Sequence, residues 1–384
     1  MSLSRRRFLA TAAAACAACV AGPGGPARAA SYLGLKPGLL GKRLSPFYTP
    51  LGDGQVQCTL CPHGCLVSPG EKGRCRVRKN VGGKYYTLVY GNPCAVHNDP
   101  IEKKPFFHVL PGTFSFSLAT AGCNFSCQFC QNWEISQQGP EDTINLPLTP
   151  RQAALEARRM GAASIASTYV EPTIFMEYML DLGREAHRAG LLKVMHSNGF
   201  VNPEPLGRLI AVLDAACIDL KSMRPEFYQQ VCGGELEPVQ ETLRRLVKAG
   251  VHTEIVHLMI PGLNDSPQET EKLIRFVRDQ LSPRVPVHFT RFFPRYKLRN
   301  LPPTPPDTIV QARRKALDMG LEFAYVGNLP GHPGENTYCP QCHNLLIRRL
   351  GYWVKHNRLQ DGRCPDCGRA IAGIWSRPRE SKGA

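Results

Sequence analysis

Between Thr113 and about residue 330, β-rich apolar runs alternate with helical stretches, and that alternation leaves few architectures open. The runs are Thr113–Ala119, Ala163–Tyr169, Leu191–Met195, Ala215–Leu220, His252–Ile260 and Val285–Arg291. Helices are predicted over Thr173–Ala189, Pro238–Ala249 and Ser266–Gln280, where apolar residues recur at three- and four-residue spacing. Gly190, Gly250 and Gly320 fall where such helices should stop. Six strand-then-helix units predict a parallel α/β sheet. An open doubly wound sheet and a full or partial barrel both satisfy the pattern, and both place function at the strand C-terminal ends.

Directly after the first run stand Cys123, Cys127 and Cys130 in CxxxCxxC spacing, with Gly122 before them. Three thiolates bind three irons of a [4Fe–4S] cubane and leave the fourth without a protein ligand. That open iron suits the amino and carboxylate groups of S-adenosylmethionine (SAM), and one electron into the sulfonium gives methionine and a 5′-deoxyadenosyl radical. The alternatives are buried free thiols or zinc, for which three cysteines in this spacing make a poor tetrahedral set.

The remaining cysteines fall into two groups. Cys339, Cys342, Cys364 and Cys367 form paired CxxC motifs at about zinc-ribbon separation, and four thiolates suit Zn²⁺. Gly368 follows the second motif as a tight turn prefers, whereas His343 stands where the first would have Gly. Cys58, Cys61, Cys65 and Cys75 sit in a piece with too few apolar residues for its own core, and their spacing leaves zinc, an iron–sulfur cluster and free thiols all open. Cys94, Cys217 and Cys232 read as packing residues.

The N-terminus carries Arg5-Arg6-Arg7-Phe8-Leu9, a short Ala/Cys-rich apolar run and a small-residue site at Ala27-Arg28-Ala29. This predicts a twin-arginine export signal over residues 1–29, with export to the periplasm or cell exterior and cytoplasmic retention as the alternative. The run is too short and alanine-rich for a membrane span. Residues 30–110 then read as a linker and N-terminal Cys-rich module, 111–330 as the catalytic core, and 331–384 as a zinc-ribbon-like module and tail. The net charge of +16 comes from scattered Lys and Arg and suits either a solvated basic surface or an acidic partner. Arg348, Arg349, Lys355 and Arg358, with Tyr352 and Trp353 beside the last four cysteines, keep nucleic acid among the candidate partners.

The run Ala121-Gly122-Cys123-Asn124 to Cys127-Gln128-Phe129-Cys130-Gln131-Asn132-Trp133, with Asp99-Pro100-Ile101-Glu102-Lys103-Lys104-Pro105 upstream, resembles the radical SAM enzyme of the AmmeMemoRadiSam system. That family is itself similar to pyruvate formate-lyase activating enzymes. The likeness extends through Tyr169-Val170-Glu171-Pro172-Thr173, Asp219-Leu220-Lys221 and Ile260-Pro261-Gly262-Leu263-Asn264-Asp265. It implies a partial (β/α)6 TIM-like barrel of radical SAM type, flanked by the small Cys-rich modules, with SAM across the strand tops. By the same resemblance Glu171 accepts bonds from the methionine ammonium, Asn198 lies near the SAM ribose or carboxylate, and Asp219 contacts SAM or a nearby cation. Lys221 is the candidate catalytic residue, and His288 on the sixth run is a candidate adenine contact.

The implied partners are SAM, an electron donor such as a flavodoxin or ferredoxin, and Memo-like and AMMECR-like proteins. The sequence departs from the family at His196-Ser197, at Val170 where Thr is usual, and at Phe293 where His is frequent. The function expected is reductive SAM cleavage, with glycyl-radical activation one form of it. An exported iron–sulfur electron carrier and a zinc-ribbon nucleic-acid binder are the alternatives.

Overall fold

The computed structural model describes residues 34–377, so the predicted export signal, with Cys16 and Cys19, lies outside the described residues. Eight strands form the central sheet: β1 (Ala95–Pro100), β2 (Phe114–Ala119), β3 (Ser164–Ser167), β4 (Leu192–Ser197), β5 (Ala215–Asp219), β6 (His252–Met259), β7 (Val287–Arg291) and β8 (Ala324–Gly327). They lie in chain order from one edge to the other, and β1 pairs antiparallel to β2 while β2 to β8 are all parallel. Edges β1 and β8 do not pair with each other, so the barrel is partial.

Between consecutive parallel strands run α1 (Pro150–Arg159), α2 (Met176–Arg188), α3 (Pro203–Ile210), α4 (Leu236–Lys248), α5 (Pro267–Phe276) and α6 (Pro306–Asp318). The expected (β/α)6 succession is therefore present, closed by a seventh parallel strand and opened by an antiparallel one that the apolar runs did not announce. The start signals are local: α1 begins with a capping box between Thr149 and Gln152, and Ser266 caps α5 through the Glu269 N–H. Gly190, Gly250 and Gly320 end their helices at positive φ.

The two faces of the sheet differ in chemistry. Phe116, Leu118, Ile165, Met195, Ile218, Ile255, Val287 and Phe289 point to the helices and join the main core. The concave face is closed by the chain between β1 and β2, whose Ile101, Phe106, Val109 and Leu110 cluster with Ala166, Val194, Ala215, Cys217 and Val256 from four different strands. One short segment reaching four strands shows how far the sheet wraps. Arginine 349 and Phe107 join this plug to the C-terminal module: the Arg349 guanidinium donates to the Phe107 carbonyl at 2.7 Å and lies 4.2 Å from the ring centroid.

That module is a hairpin of Leu345–Leu350 with Trp353–Asn357, hung between two cysteine turns. Its Cys339, Leu346, Ile347, Cys364 and Ile371 pack on Phe107, Phe323 and Tyr325. The N-terminal piece consists of two small antiparallel sheets, one built on Tyr48–Pro50, Val56–Cys58 and Leu66–Val67 and the other on Arg43–Leu44, Lys84–Thr87 and Arg78–Val81. Its apolar residues Phe47, Val56, Val67 and Val77 belong to the same core cluster as the barrel's helix side, which answers its shortage of a core of its own. Among the described residues no helix is long and apolar enough to cross a membrane.

Candidate active site

The cysteine loop leaves β2 at its C-terminal end, and its path is fixed by backbone bonds rather than by regular structure. The Ser126 N–H donates to the Cys232 carbonyl at 2.8 Å and the Gln128 N–H to the Val231 carbonyl at 3.0 Å, so the turn after β5 acts as a template for the loop. Gly122, at φ +88°, has no room for a side chain: a Cβ would lie 2.4 Å from the Cys75 carbonyl oxygen. Cys127 is buried, and Cys123 and Cys130 are partly exposed.

A hydrogen bond between the Cys127 and Cys232 thiols, together with burial, pushes the Cys127 thiol up, and burial first of all raises Cys123 and Cys130. Such thiols are not free thiolate nucleophiles; they ionise when a cation binds them, which fits a metal centre. Among the described residues the three loop cysteines are not drawn to one point, as ligands of a single ion would be.

Around this loop the strand ends bring four of the sequence-predicted residues together. Glu171 is buried, and its carboxylate accepts from the Thr173 N–H (2.9 Å), the Ser197 hydroxyl (2.8 Å) and the Asn198 N–H (2.7 Å). Burial raises its carboxyl from the usual range against the pull of those bonds. The Asn198 amide donates to Asn124 Oδ1 at 2.8 Å, inside the cysteine loop itself. Asp219 is bonded to Lys221 Nζ and His196 Nε2, each at 2.8 Å. Burial disfavours its charge, but Lys221 and His196 prevail and hold its carboxyl well below the ordinary range. Lys221 lies 5.6 Å from the Phe129 ring centroid and its charge acts on Cys127, so a cation favours the ionised form of that thiol.

His288 does not join this group. It is 2% exposed, donates from Nε2 to Glu254 at 2.7 Å, and is packed edge-on by Phe107 and stacked on Tyr325. The adenine contact implied for it has no open face here, because Glu254 takes the imidazole as one of several donors. That carboxylate also accepts from the Phe107 and His108 N–H groups at 3.0 and 2.8 Å and from His252 at 3.1 Å.

A polar set with no assigned role in the sequence reading also lines the concave face. Lys104 Nζ bonds Asp99 and, at 3.0 Å, the Tyr169 hydroxyl, which itself donates to Asp99; His97 lies edge-on to Tyr169 at 5.7 Å. Burial lowers Lys104 to about 8. Tyr169 takes φ +69° and accepts a bond on its carbonyl from the Asn132 amide at 2.6 Å, which ties this set to the cysteine loop. The Asp-Pro-Ile-Glu-Lys-Lys block quoted for the resemblance was the available signal.

The C-terminal cysteines form a different kind of centre. All four sulfurs lie within 4.8 Å of one another, with Cys339 to Cys367 at 3.6 Å and Cys342 to Cys364 at 3.7 Å. Zinc–sulfur bonds of about 2.3 Å in a tetrahedron put the sulfurs about 3.8 Å apart, so these residues fit one metal ion. The two turns match: the His343 N–H bonds the Cys339 carbonyl and the Gly368 N–H the Cys364 carbonyl, with φ of +60° and +74°. Of the basic residues considered for nucleic acid, Arg349 is buried in the barrel contact and Arg358 is tied to Asp366 at 2.8 Å.

Thiols at the C-terminal edge of a partial parallel barrel, with carboxylates and a lysine converging on them, define an iron–sulfur enzyme of α/β fold. Residues 117–277 match the Radical SAM superfamily. The chain is 43% identical over 331 residues to the uncharacterized protein MJ0808 of Methanocaldococcus jannaschii, covering 86% of this chain and 98% of that one. It is 24% identical over 163 residues to the pyruvate formate-lyase 1-activating enzyme of Escherichia coli, covering 41% of this chain and 66% of the relative. A solved radical SAM methyltransferase from Sphaerobacter thermophilus aligns at 18% identity and TM-score 0.45 over 59% of this chain and 70% of that one. The chain belongs to the radical SAM superfamily, whose members take a [4Fe–4S] cluster and SAM, and it is an enzyme related to the activating enzymes.

Proposed function

We propose that the chain is the radical SAM enzyme of an AmmeMemoRadiSam system, with Cys123, Cys127 and Cys130 holding the cluster and SAM seated over the ends of β3 to β5. The observation that carries the reading is the convergence of Glu171, Asn198, Asp219 and Lys221 on one cysteine loop. When bound, the cluster and SAM supply one-electron cleavage of the sulfonium to methionine and a 5′-deoxyadenosyl radical. The chain's own residues do the rest. Glu171, held by three donors, offers its remaining acceptor capacity to the methionine ammonium. Lys221 offsets the charge of the thiolates, and Asp219 and His196 keep that lysine in place.

On the concave face Lys104, depressed to about 8, carries a proton held in place by Asp99 and Tyr169, and Tyr169 joins it to the cysteine loop through Asn132. The C-terminal four-cysteine centre takes zinc, and Memo-like and AMMECR-like proteins are the partners this reading assigns. Export by the twin-arginine route belongs to the same proposal. Its test is fractionation of cells carrying the wild type or Arg5→Lys/Arg6→Lys, and a wild type that stays in the cytoplasm overturns it.

The activity is tested on the full chain, reconstituted anaerobically, reduced with SAM and assayed by chromatography for 5′-deoxyadenosine beside Cys127→Ala. Formation in the wild type alone is the expected result. An intact reduced cluster that leaves SAM whole overturns the reading in favour of an electron carrier.

A further inference from the structure

Cys58 at the end of the Val56–Cys58 strand, Cys61 and Cys65 in the loop after it, and Cys75 in the turn before Arg78–Val81 line one cavity, which also receives Tyr85 and Arg78. Local bonds shape it: the Cys58 N–H donates to the Cys65 carbonyl at 2.9 Å and the Gly64 N–H to the Cys61 carbonyl at 3.1 Å, with Gly64 at φ +52°. The cavity differs from the C-terminal centre in one decisive respect. There four sulfurs fall within 4.8 Å of one another; here, among the described residues, no three metal-binding atoms do. One tetrahedral ion needs sulfurs about 3.8 Å apart, whereas a cluster of several irons holds its thiolates farther from one another.

Two buried donors point to what fills the space. The Tyr85 hydroxyl and the Arg78 Nε have no oxygen or nitrogen partner, although each residue is fully buried, and the Tyr85 hydroxyl is within reach of the Cys58 thiol alone. The rest of the Arg78 guanidinium is committed to Glu177 (2.8 and 2.7 Å), Ser45 (2.8 Å) and the Ile174 carbonyl (3.0 Å), so Nε alone is left for the cavity. Orphaned buried donors cost about 1–3 kcal/mol each unless a ligand accepts from them. Sulfur acceptors of a cluster answer both.

We propose that Cys58, Cys61, Cys65 and Cys75 hold a second [4Fe–4S] cluster, closed by four protein thiolates and hydrogen-bonded by Tyr85 and Arg78. With every iron ligated it has no place for SAM. It shares a wall with the first centre: His63 bonds the Asn124 carbonyl at 2.8 Å, and the Cys75 carbonyl abuts Gly122, so residues flanking Cys123 touch both sites.

The test is metal and sulfide content in a full-length Cys123→Ala/Cys127→Ala/Cys130→Ala variant, reconstituted anaerobically with ferrous iron and sulfide. About four irons and four sulfides per chain are expected, with the Mössbauer signature of a cubane, against about eight of each in the wild type. Adding Cys58→Ala and Cys75→Ala should remove them. An iron-free loop variant, or one carrying two zinc ions per chain instead of one, overturns the proposal. Tyr85→Phe keeps every thiol and guards against misfolding as an explanation. It should retain the iron and shift the electron paramagnetic resonance of the reduced cluster, and an unchanged spectrum removes the hydroxyl from the site. Iron in the loop variant is read without SAM, so this proposal and the active-site reading fail independently.

Discussion

Replacing His288 with alanine is expected to cost stability and leave SAM affinity unchanged. The imidazole bonds the Glu254 carboxylate at 2.7 Å, and a hydrogen bond to a charged group contributes about 1.5–3 kcal/mol. Its ring contacts, edge-on to Phe107 at 4.7 Å and stacked on Tyr325 at 5.1 Å, add about 0.5–1.5 kcal/mol each. Glu254 keeps two backbone donors and His252 after the change, so it is not stranded, and a total of about 2.5–6 kcal/mol follows. Thermal melting of the metal-loaded protein reads the loss. A cycle with Glu254→Gln should show coupling of about 1.5–3 kcal/mol, because the two side chains share one bond. The pH dependence has a definite sign. Burial opposes the Glu254 charge, but bonds from His252 and His288 hold its carboxyl well below the usual range. Its stabilising contribution is therefore complete above the unfolded value of about 4.3 and is lost as pH falls below it, a slope that Glu254→Gln should flatten. An unchanged melt with a tenfold rise in the SAM KM would refute the argument and return His288 to the cofactor.

Three further outcomes test other parts of the structure. Cys364→Ala should lower zinc by one ion per chain and loosen the C-terminal hairpin in hydrogen exchange while leaving iron unchanged; retained zinc counts against the four-sulfur site. His343→Gly, at φ +60°, relieves a left-handed conformation and should stabilise the zinc-loaded protein by about 1 kcal/mol, whereas a lower melting temperature means the imidazole has a role of its own. Lys193 is fully buried with Nζ on the Ser167 hydroxyl at 2.6 Å, and burial pushes it down to about 7. Between that value and about 10.4 the unfolded chain binds more protons than the fold, so stability rises with pH across this window, and below it the full penalty is carried. Lys193→Met should abolish that rise in denaturant titrations and stabilise the protein near pH 7 by on the order of 3 kcal/mol; parallel pH profiles would contradict it.

Six of the seven parallel strands were legible because each is a β-rich, largely apolar run that the sheet buries on both faces. Strand β1 was not, since Ala-Val-His-Asn-Asp-Pro carries polar residues that face inward and ends in proline, and no local pattern says that a plug will cover them. Strand β8 is a four-residue run that only its pairing with β7 identifies. The cysteine loop and the four-sulfur module were legible for another reason: metal ligands lie close in sequence and their spacing is itself the signal. Contacts across the sheet carry no such signal. Asp99 and Tyr169 are 70 residues apart, and only the order of β1, β2 and β3 brings them together.

The same reasoning explains why His288 lies apart from the cysteine loop while Glu171 and Asp219 lie beside it. A parallel sheet is ordinarily apolar on both faces, yet the concave side here presents His97, Asp99, His196, Asp219, Glu254 and His288, each costly to bury without a partner. Position on that side therefore identifies a polar residue as one that needs a partner, but not which one. Glu254, two residues into β6, meets the plug at Phe107 and His108 and recruits His288 to a structural role. Asp219 ends β5, beyond the reach of that plug, and its partners are His196, Lys221 and the cysteine loop. Where the plug's bonds end along the strands, the polar groups turn to the cysteine loop, and that boundary separates the residues that hold the barrel together from those that surround the three thiols.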